Sequence, residues 1–301
     1  MSLELVKRVP SAKEIQDELP MSLELQKIKA QRDAEIKKIF TGEDDRFILI
    51  IGPCSADNED FVCDYVNRLA KIGEEVKDKI YIIPRIYTNK PRTTGAGYKG
   101  MLHQPDPEHG SDMLAGLKAI RKMHIRAISE THLTAADEML YPENWLYMED
   151  LLSYVAIGAR SVENQQHRLT ASGMAVPVGM KNPTSGDLSV MMNSCVAAQS
   201  GLTFLYSGWE AKTSGNELTH TILRGALNKH GQSITNYHYE DLQLLLELYN
   251  QFDLKNPGCI VDANHNNSGK KWDQQPRIVK EVLHSMRCSS EIKKLVKGVM
   301  V

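Results

Sequence analysis

The 301-residue sequence predicts an α/β fold, a (β/α)8 TIM barrel with an N-terminal helical extension and an inserted β-hairpin before strand six. Three observations lead there. From residue 47 onward, short apolar runs alternate with segments of helical period, the pattern of parallel βα units. The first run closes in Gly52-Pro53-Cys54-Ser55, not in the GxGxxG turn that an open dinucleotide-binding sheet requires. Basic residues recur at the carboxyl ends of these runs, the end at which barrels build their sites.

Phe47 to Ile51 is the first expected strand, and Asp57 or Asn58 then caps a helix with Phe61, Val62, Tyr65, Val66 and Leu69 on one face. Ile80 to Tyr87 is the second strand, followed by a basic loop and a helix from Ser111 or Asp112 to about Met123. Arg126 to Glu130, short and half apolar, is expected as strand three, Val155 to Arg160 as strand four and Val176 to Asn182 as strand five. Helical stripes lie at 143–153, 163–173 and 188–200. Leu202 to Tyr206 and Glu210 to Ser214 flank Gly208-Trp209 as a hairpin. His220 to Arg224 is strand six, Tyr239 to Phe252 a leucine-rich helix and Cys259 to His265 strand seven. A helix from about Lys271 to Met286 leads to strand eight, Leu295 to Val301. The barrel thus spans 46–301 and is expected to be truncated after strand eight, where one more loop and helix belong. Residues 1–45 are charged and helix-prone, an arm outside the barrel count; Met-Ser-Leu-Glu-Leu at 1–5 and 21–25 is read as a chance recurrence.

Composition is that of an ordinary globular chain, 42% hydrophobic and 25% charged. With 36 Lys and Arg against 38 Asp and Glu, no overall field steers it to nucleic acid or to a membrane surface. Five scattered cysteines without CxxC spacing fit a reduced, cytoplasmic setting. No apolar run approaches the ~18 residues of a membrane span, and the amino terminus lacks a signal-peptide core.

Lys90, Arg92 and Lys99 crowd a loop of threonines and glycines just past strand two, an arrangement suited to phosphate oxygens. Arg85, Arg160, Lys181 and Arg224 fall near the ends of four different strands. Any one of them is ordinarily a salt-bridge partner. Four on one rim would repel by roughly 4 kcal/mol per close pair at an effective dielectric near 20, unless a polyanion sits among them. The mouth has room for two phosphorylated ligands. Cys54 is either a structural cysteine or, from its place at the rim, a metal ligand or nucleophile. His265 shares that rim, and Cys, His and carboxylates together make a plausible divalent-metal set. Glu130 is read as an acid/base or metal-side carboxylate, or a plain counter-ion, and Asp262 as a residue that orients neighbouring cations.

GPCS at 52–55, Arg85 with KPRTTGAGYKG at 90–100, GARSVENQQHR at 158–168, PVGMKNPTSG at 177–186, HTILRGA at 220–226 and DANHNNSGK at 262–270 resemble the metal-dependent, feedback-regulated 3-deoxy-D-arabino-heptulosonate 7-phosphate (DAHP) synthases. The resemblance runs in register from about residue 14 to the end. It implies a transferase that condenses phosphoenolpyruvate with erythrose 4-phosphate, the first step of the shikimate pathway to aromatic amino acids. Arg85, Arg160, Lys181 and Arg224 would cradle phosphoenolpyruvate, Lys90 would lie between the substrates, and Arg92 with Thr93 would grip erythrose 4-phosphate. Cys54 and His265 match two ligands of a divalent metal (Mn, Fe, Co or Zn), and Glu130 the active-site carboxylate of strand three. The family's two further metal ligands, a Glu directly after the position of Val301 and a later Asp, are not in this sequence, so the chain is expected to be a fragment or a weakened relative. The arm would serve in a homodimer or homotetramer and in inhibition by an aromatic amino acid. A KDO-phosphate synthase-like enzyme and a non-catalytic phosphoenolpyruvate-binding subunit are the alternatives.

Overall fold

Alternate residues of the apolar runs point to two different cores. Ile48 and Ile50 of β1 (Phe47–Ile51) join Tyr81 and Ile83 of β2 (Ile80–Pro84), Ala136 of β3 (Ala135–Glu138), and Tyr154 and Ala156 of β4 (Leu152–Ile157) in one buried cluster. Ile222 of β6 (His220–Leu223), Ile260 of β7 (Cys259–Asp262) and Met300 of β8 (Val296–Met300) complete that interior. The other set, including Val155, Val178 of β5 (Val178–Lys181), Val261 and Val299, packs outward against helices. Burial on both faces is what parallel strands under a helical layer require. The computed structural model describes residues 2–90, 92 and 95–301.

The eight strands pair in parallel in the order β2-β1-β8-β7-β6-β5-β4-β3, and a bridge between Arg85 and Ala136 returns the end of the order to β2. The (β/α)8 barrel expected from the sequence is the fold. The connecting helices are α3 (Glu59–Val76), α4 (Met113–Thr131), the short α5 (Trp145–Met148), α6 (Gln165–Ala171), α7 (Leu188–Gln199), α8 (Tyr239–Tyr249), α9 (Gln275–Cys288) and α10 (Ser290–Leu295). Asn58 and Asp112 are the caps of α3 and α4, each accepting from backbone amides of the first turn. The hairpin before strand six pairs Thr203–Tyr206 with Trp209–Lys212 through Ser207 and Gly208, both at positive φ. A second small ladder, Ala226–Leu227 with Ser233–Ile234, was not anticipated.

The arm does not hang free of the barrel. α1 (Ala12–Glu18) and α2 (Leu23–Thr41) precede it, and Ile36, Ile39 and Phe40 of α2 belong to the interior cluster. Phe40 lies 4.3 Å from the His220 ring, and Arg32 donates to the Ile82 carbonyl at 2.6 Å. α2 therefore closes the amino-terminal end of the barrel and leaves the carboxyl end as the open one.

Strand three is the chief correction. Arg126 to Glu130 is not a strand: α4 continues without a break to Thr131, burying Ala127 and Ile128, and ends at His132 in the left-handed conformation. The strand itself is Ala135–Glu138, four small or acidic residues with no apolar run to mark it. Elsewhere the helix expected over 143–153 shrinks to one turn of 3-10 helix and α5, because β4 already begins at Leu152. α10 occupies residues between α9 and strand eight.

Candidate active site

Arg85 and Arg224 directly follow β2 and β6 at the open end, and Glu138, Lys181 and Asp262 end β3, β5 and β7 there. Gly52 follows β1 where Arg85 crosses it, and a Cβ there would collide with the Arg85 carbonyl. Arg85, 6% exposed, in turn donates through Nη2 to the carbonyls of Gly52 (2.9 Å) and Pro53 (3.1 Å), holding the turn that carries Cys54. Past β2, the Tyr87 ring has the Arg85 guanidinium 5.2 Å from its centroid and the Lys181 ammonium 5.3 Å from it. Lys181, 2% exposed at the end of β5, pairs with Glu138 at the end of β3, 3.1 Å away. Gly158 makes that pairing possible, since a Cβ there would come within 2.6 Å of a Glu138 carboxylate oxygen.

An asparagine network fixes the other side of the rim. Asn182 accepts from the Arg224 amide (2.9 Å) and donates to the Gly225 carbonyl (2.9 Å), and Asn267 donates to the Asp262 carbonyl (2.8 Å). Arg224 is 7% exposed, and burial pulls its pKa down while Asp262 opposes the fall. Asp262, fully buried, would be driven towards its neutral form by burial. His265, Lys181 and Arg85 outweigh that and hold it well below the usual carboxylate range. It accepts from His265 Nδ1 at 2.7 Å, so the Nε2 atom of that ring is the one left to bind a ligand. Glu138 likewise stays low against burial, through Lys181, His265 and Lys90.

The structure thus brings Arg85, Lys181, Arg224, His265 and Glu138 to one mouth. Among the described residues, Nε of Arg85 and Nη1 of Arg224 are buried without a hydrogen-bond partner. Orphaned guanidinium donors at this buried rim are costly unless an anion accepts from them. Lys90 reaches from the β2 extension to Cys54, contacting its carbonyl and, at 3.1 Å, its sulfur. Burial raises the Cys54 thiol, but Lys90, Arg85 and Arg92 more than offset it, so its pKa falls. Arg92 is exposed on the basic loop and donates to the Tyr98 carbonyl (2.7 Å), and Arg160 is exposed in the turn after β4. Thr93 lies outside the described residues.

Glu130 is far from this chemistry. It sits on the outer face of α4, bonded to Arg126 (2.7 Å) and Asn67 (2.6 Å). Glu138 holds the place expected of Glu130; the helical period of α4, followed past Met123 to Ile128, was the signal that pushed strand three onward. Tyr87, Asp137, Asn182 and Asn267 were also missed, since nothing local in sequence marks them as neighbours of the rim.

A thiol and an imidazole are donors that a borderline divalent ion accepts. Among the described residues, however, no group of three His, Cys, Asp or Glu side chains gathers to hold one. Cys54 and His265 by themselves would offer a divalent ion two donors, short of a full shell.

The DAHP synthetase I family model matches residues 22–301. A tyrosine-inhibited phospho-2-dehydro-3-deoxyheptonate aldolase of Candida albicans is 36% identical over 89% of this chain and 72% of its own length. The Phe-sensitive enzyme of Escherichia coli is 35% identical over 96% of this chain and 83% of its own. The structure of a phospho-2-dehydro-3-deoxyheptonate aldolase from Francisella tularensis superposes with a TM-score of 0.90 at 28% identity, covering 100% of this chain and 86% of that one. Enzymes of this kind are generally metal-dependent. A parallel barrel whose rim gathers buried cations, with guanidinium donors unpartnered among the described residues, matched by that model from the second helix to the last residue, places this chain in the DAHP synthetase I family.

Proposed function

We propose that the chain condenses phosphoenolpyruvate with erythrose 4-phosphate to give DAHP and phosphate. The carrying observation is the pair of orphaned guanidinium donors, Arg85 Nε and Arg224 Nη1, in a mouth that also holds Lys181. Phosphoenolpyruvate presents a phosphate and a carboxylate, the two groups such donors bind bidentately. In this reading Arg85, Lys181 and Arg224 seat phosphoenolpyruvate, with Arg160 closing over it from the β4 turn. Arg92 and Thr93 take the phosphate of the aldose, and Lys90 stands between the two substrates.

The enol carbon of phosphoenolpyruvate bonds to the aldehyde carbon, the aldehyde oxygen takes up a proton, and water added at the other enol carbon leads to loss of phosphate. Lys90, beside Cys54, would orient the aldehyde oxygen and give it a proton. Glu138, kept ionised by Lys181, would orient water and so serve as the active-site carboxylate expected at Glu130. Cys54 and His265 would hold one side of a divalent ion, which when bound polarises an aldehyde oxygen.

The test is loss of phosphoenolpyruvate with erythrose 4-phosphate and added manganese, repeated with chelator and with arabinose 5-phosphate. The reading expects turnover with the four-carbon aldose only, lost on chelation. Turnover with arabinose 5-phosphate instead selects the KDO-phosphate branch; saturable phosphoenolpyruvate binding without turnover selects a regulatory subunit. Inhibition by an aromatic amino acid, named for the relatives above, is proposed here too, as is a homo-oligomeric role for residues 1–45. Among the described residues no helix is long and apolar enough to cross a membrane, and the free cysteines suit the cytoplasm.

A further inference from the structure

The wall of the barrel is a ladder everywhere except between β2 and β3, where one bridge, Arg85 with Ala136, closes the ring. Beyond Ile86, whose amide donates to the Ala136 carbonyl at 2.9 Å, a side chain replaces the ladder. The Asp137 carboxylate accepts from the Thr88 amide at 3.0 Å, from the Thr88 hydroxyl, and from the Glu138 amide at 2.7 Å. Thr88 is fully buried, and Asn89 and Asp137 are each 6% exposed. We propose that Asp137 is a positioning residue that clasps the β2–β3 seam and so sets Lys90 and Glu138 in the mouth, an inference that rests on the reading of that mouth given above. Among the described residues its hydrogen bonds go to Thr88 and Glu138, and none to Cys54, Lys90 or Lys181. It acts through Thr88, two residues before Lys90, and through the backbone of Glu138.

Chemistry supports the assignment. Burial pushes the Asp137 carboxyl up to about 7 in spite of its three donors, and the Glu138 charge adds to the rise. Around it stand Thr88 and Asn89 of the β2 extension, Glu138 of its own strand, and Asn144 and Tyr141 across a small cavity. A surface aspartate would do none of this work. A buried one is held at a cost that its three hydrogen bonds repay only while all are made.

The experiment is amide hydrogen exchange over residues 86–90 of the substrate-free chain, alongside kcat and KM. Asp137→Ala removes the acceptor, and exchange there should quicken by about tenfold or more, with kcat falling while the remaining core exchanges as before. Asp137→Asn keeps one acceptor oxygen for the two amides and should stay within about threefold of the unsubstituted chain, which a mere loss of charge would not spare. Equal exchange in Asp137→Ala and the unsubstituted chain overturns the proposal, and so does equal quickening in both variants. Should Asp137→Ala fail to fold, Thr88→Val, which deletes one donor, reads the same segment; unchanged exchange there overturns it too. Exchange is measured without substrate, so absent turnover in the unsubstituted chain rejects the enzymatic reading and leaves the clasp to be judged by exchange alone.

Discussion

Glu130 and Glu138 carry the same carboxylate into opposite surroundings. The first is solvated on α4, where Arg126 and then Asn67 lower its pKa; the second is buried, faces Lys181 across 3.1 Å and is kept ionised by it. Exchange of glutamate for glutamine separates them. Glu138→Gln should lower kcat by about 10²–10⁴, the usual worth of a positioned acid or base, and lower the unfolding midpoint too, since it leaves the buried Lys181 charge uncompensated. Glu130→Gln should leave steady-state kinetics unchanged. The reverse ranking would restore Glu130 to the site. The rim positions of Arg85, Lys181 and Arg224 were legible one by one because each ends or follows an apolar run that really is a strand, and those of Cys54 and His265 because each follows a turn motif at a strand end; Arg160 lies in the turn past β4, which stops at Ile157. Glu138 was not, because its strand, Ala-Ala-Asp-Glu, carries no apolar signature: Ala136 fills its interior position and the neighbours do the burying.

Secondary elements follow the same logic. β1, β6 and β7 were readable from their apolar runs, and α3 and α4 from Asn58 and Asp112. The place of α2 was not readable, since a charged helix with few apolar positions gives no hint that three of them enter a barrel. The same pentapeptide shows how context decides. Residues 2–5 carry no regular structure, whereas Ser22 of the second copy caps α2 by accepting from the Leu25 amide. Phe40 is 1% exposed and packs against the His220 ring, so Phe40→Ala should cost about 3–5 kcal/mol in urea unfolding. A loss below about 1 kcal/mol would mean that the interior closes without α2.

Over the molecule as a whole, two buried histidines on opposite sides of the barrel wall tie stability to acid. His220 lies in the interior, giving Nδ1–H to the Leu218 carbonyl (2.9 Å) and accepting from the Tyr154 hydroxyl (2.7 Å). His124, on α4, has both ring nitrogens unpartnered among the described residues. Burial lowers both, His220 to about 3 and His124 to about 4, from 6.5. At these two rings the unfolded chain therefore binds more protons, so their contribution is complete above pH 6.5 and falls as pH drops towards 4, by up to about 1.4 kcal/mol per pH unit for each ring, whereas the raised Asp137 carboxyl works in the opposite sense. His124→Leu gives up no hydrogen bond; denaturant midpoints across that range should fall less steeply, and an unaltered slope would exclude His124 as a source. The barrel's open end asks for something simpler. Titration of phosphoenolpyruvate into the unsubstituted chain and into Arg224→Ala, followed by calorimetry, reads the orphaned cations themselves. Saturable binding weakened by about 2–4 kcal/mol in the variant is expected, the worth of a charge-assisted contact in a dry site. Equal affinity in both, or no saturable binding by the unsubstituted chain, would contradict a phosphoenolpyruvate cradle at this mouth.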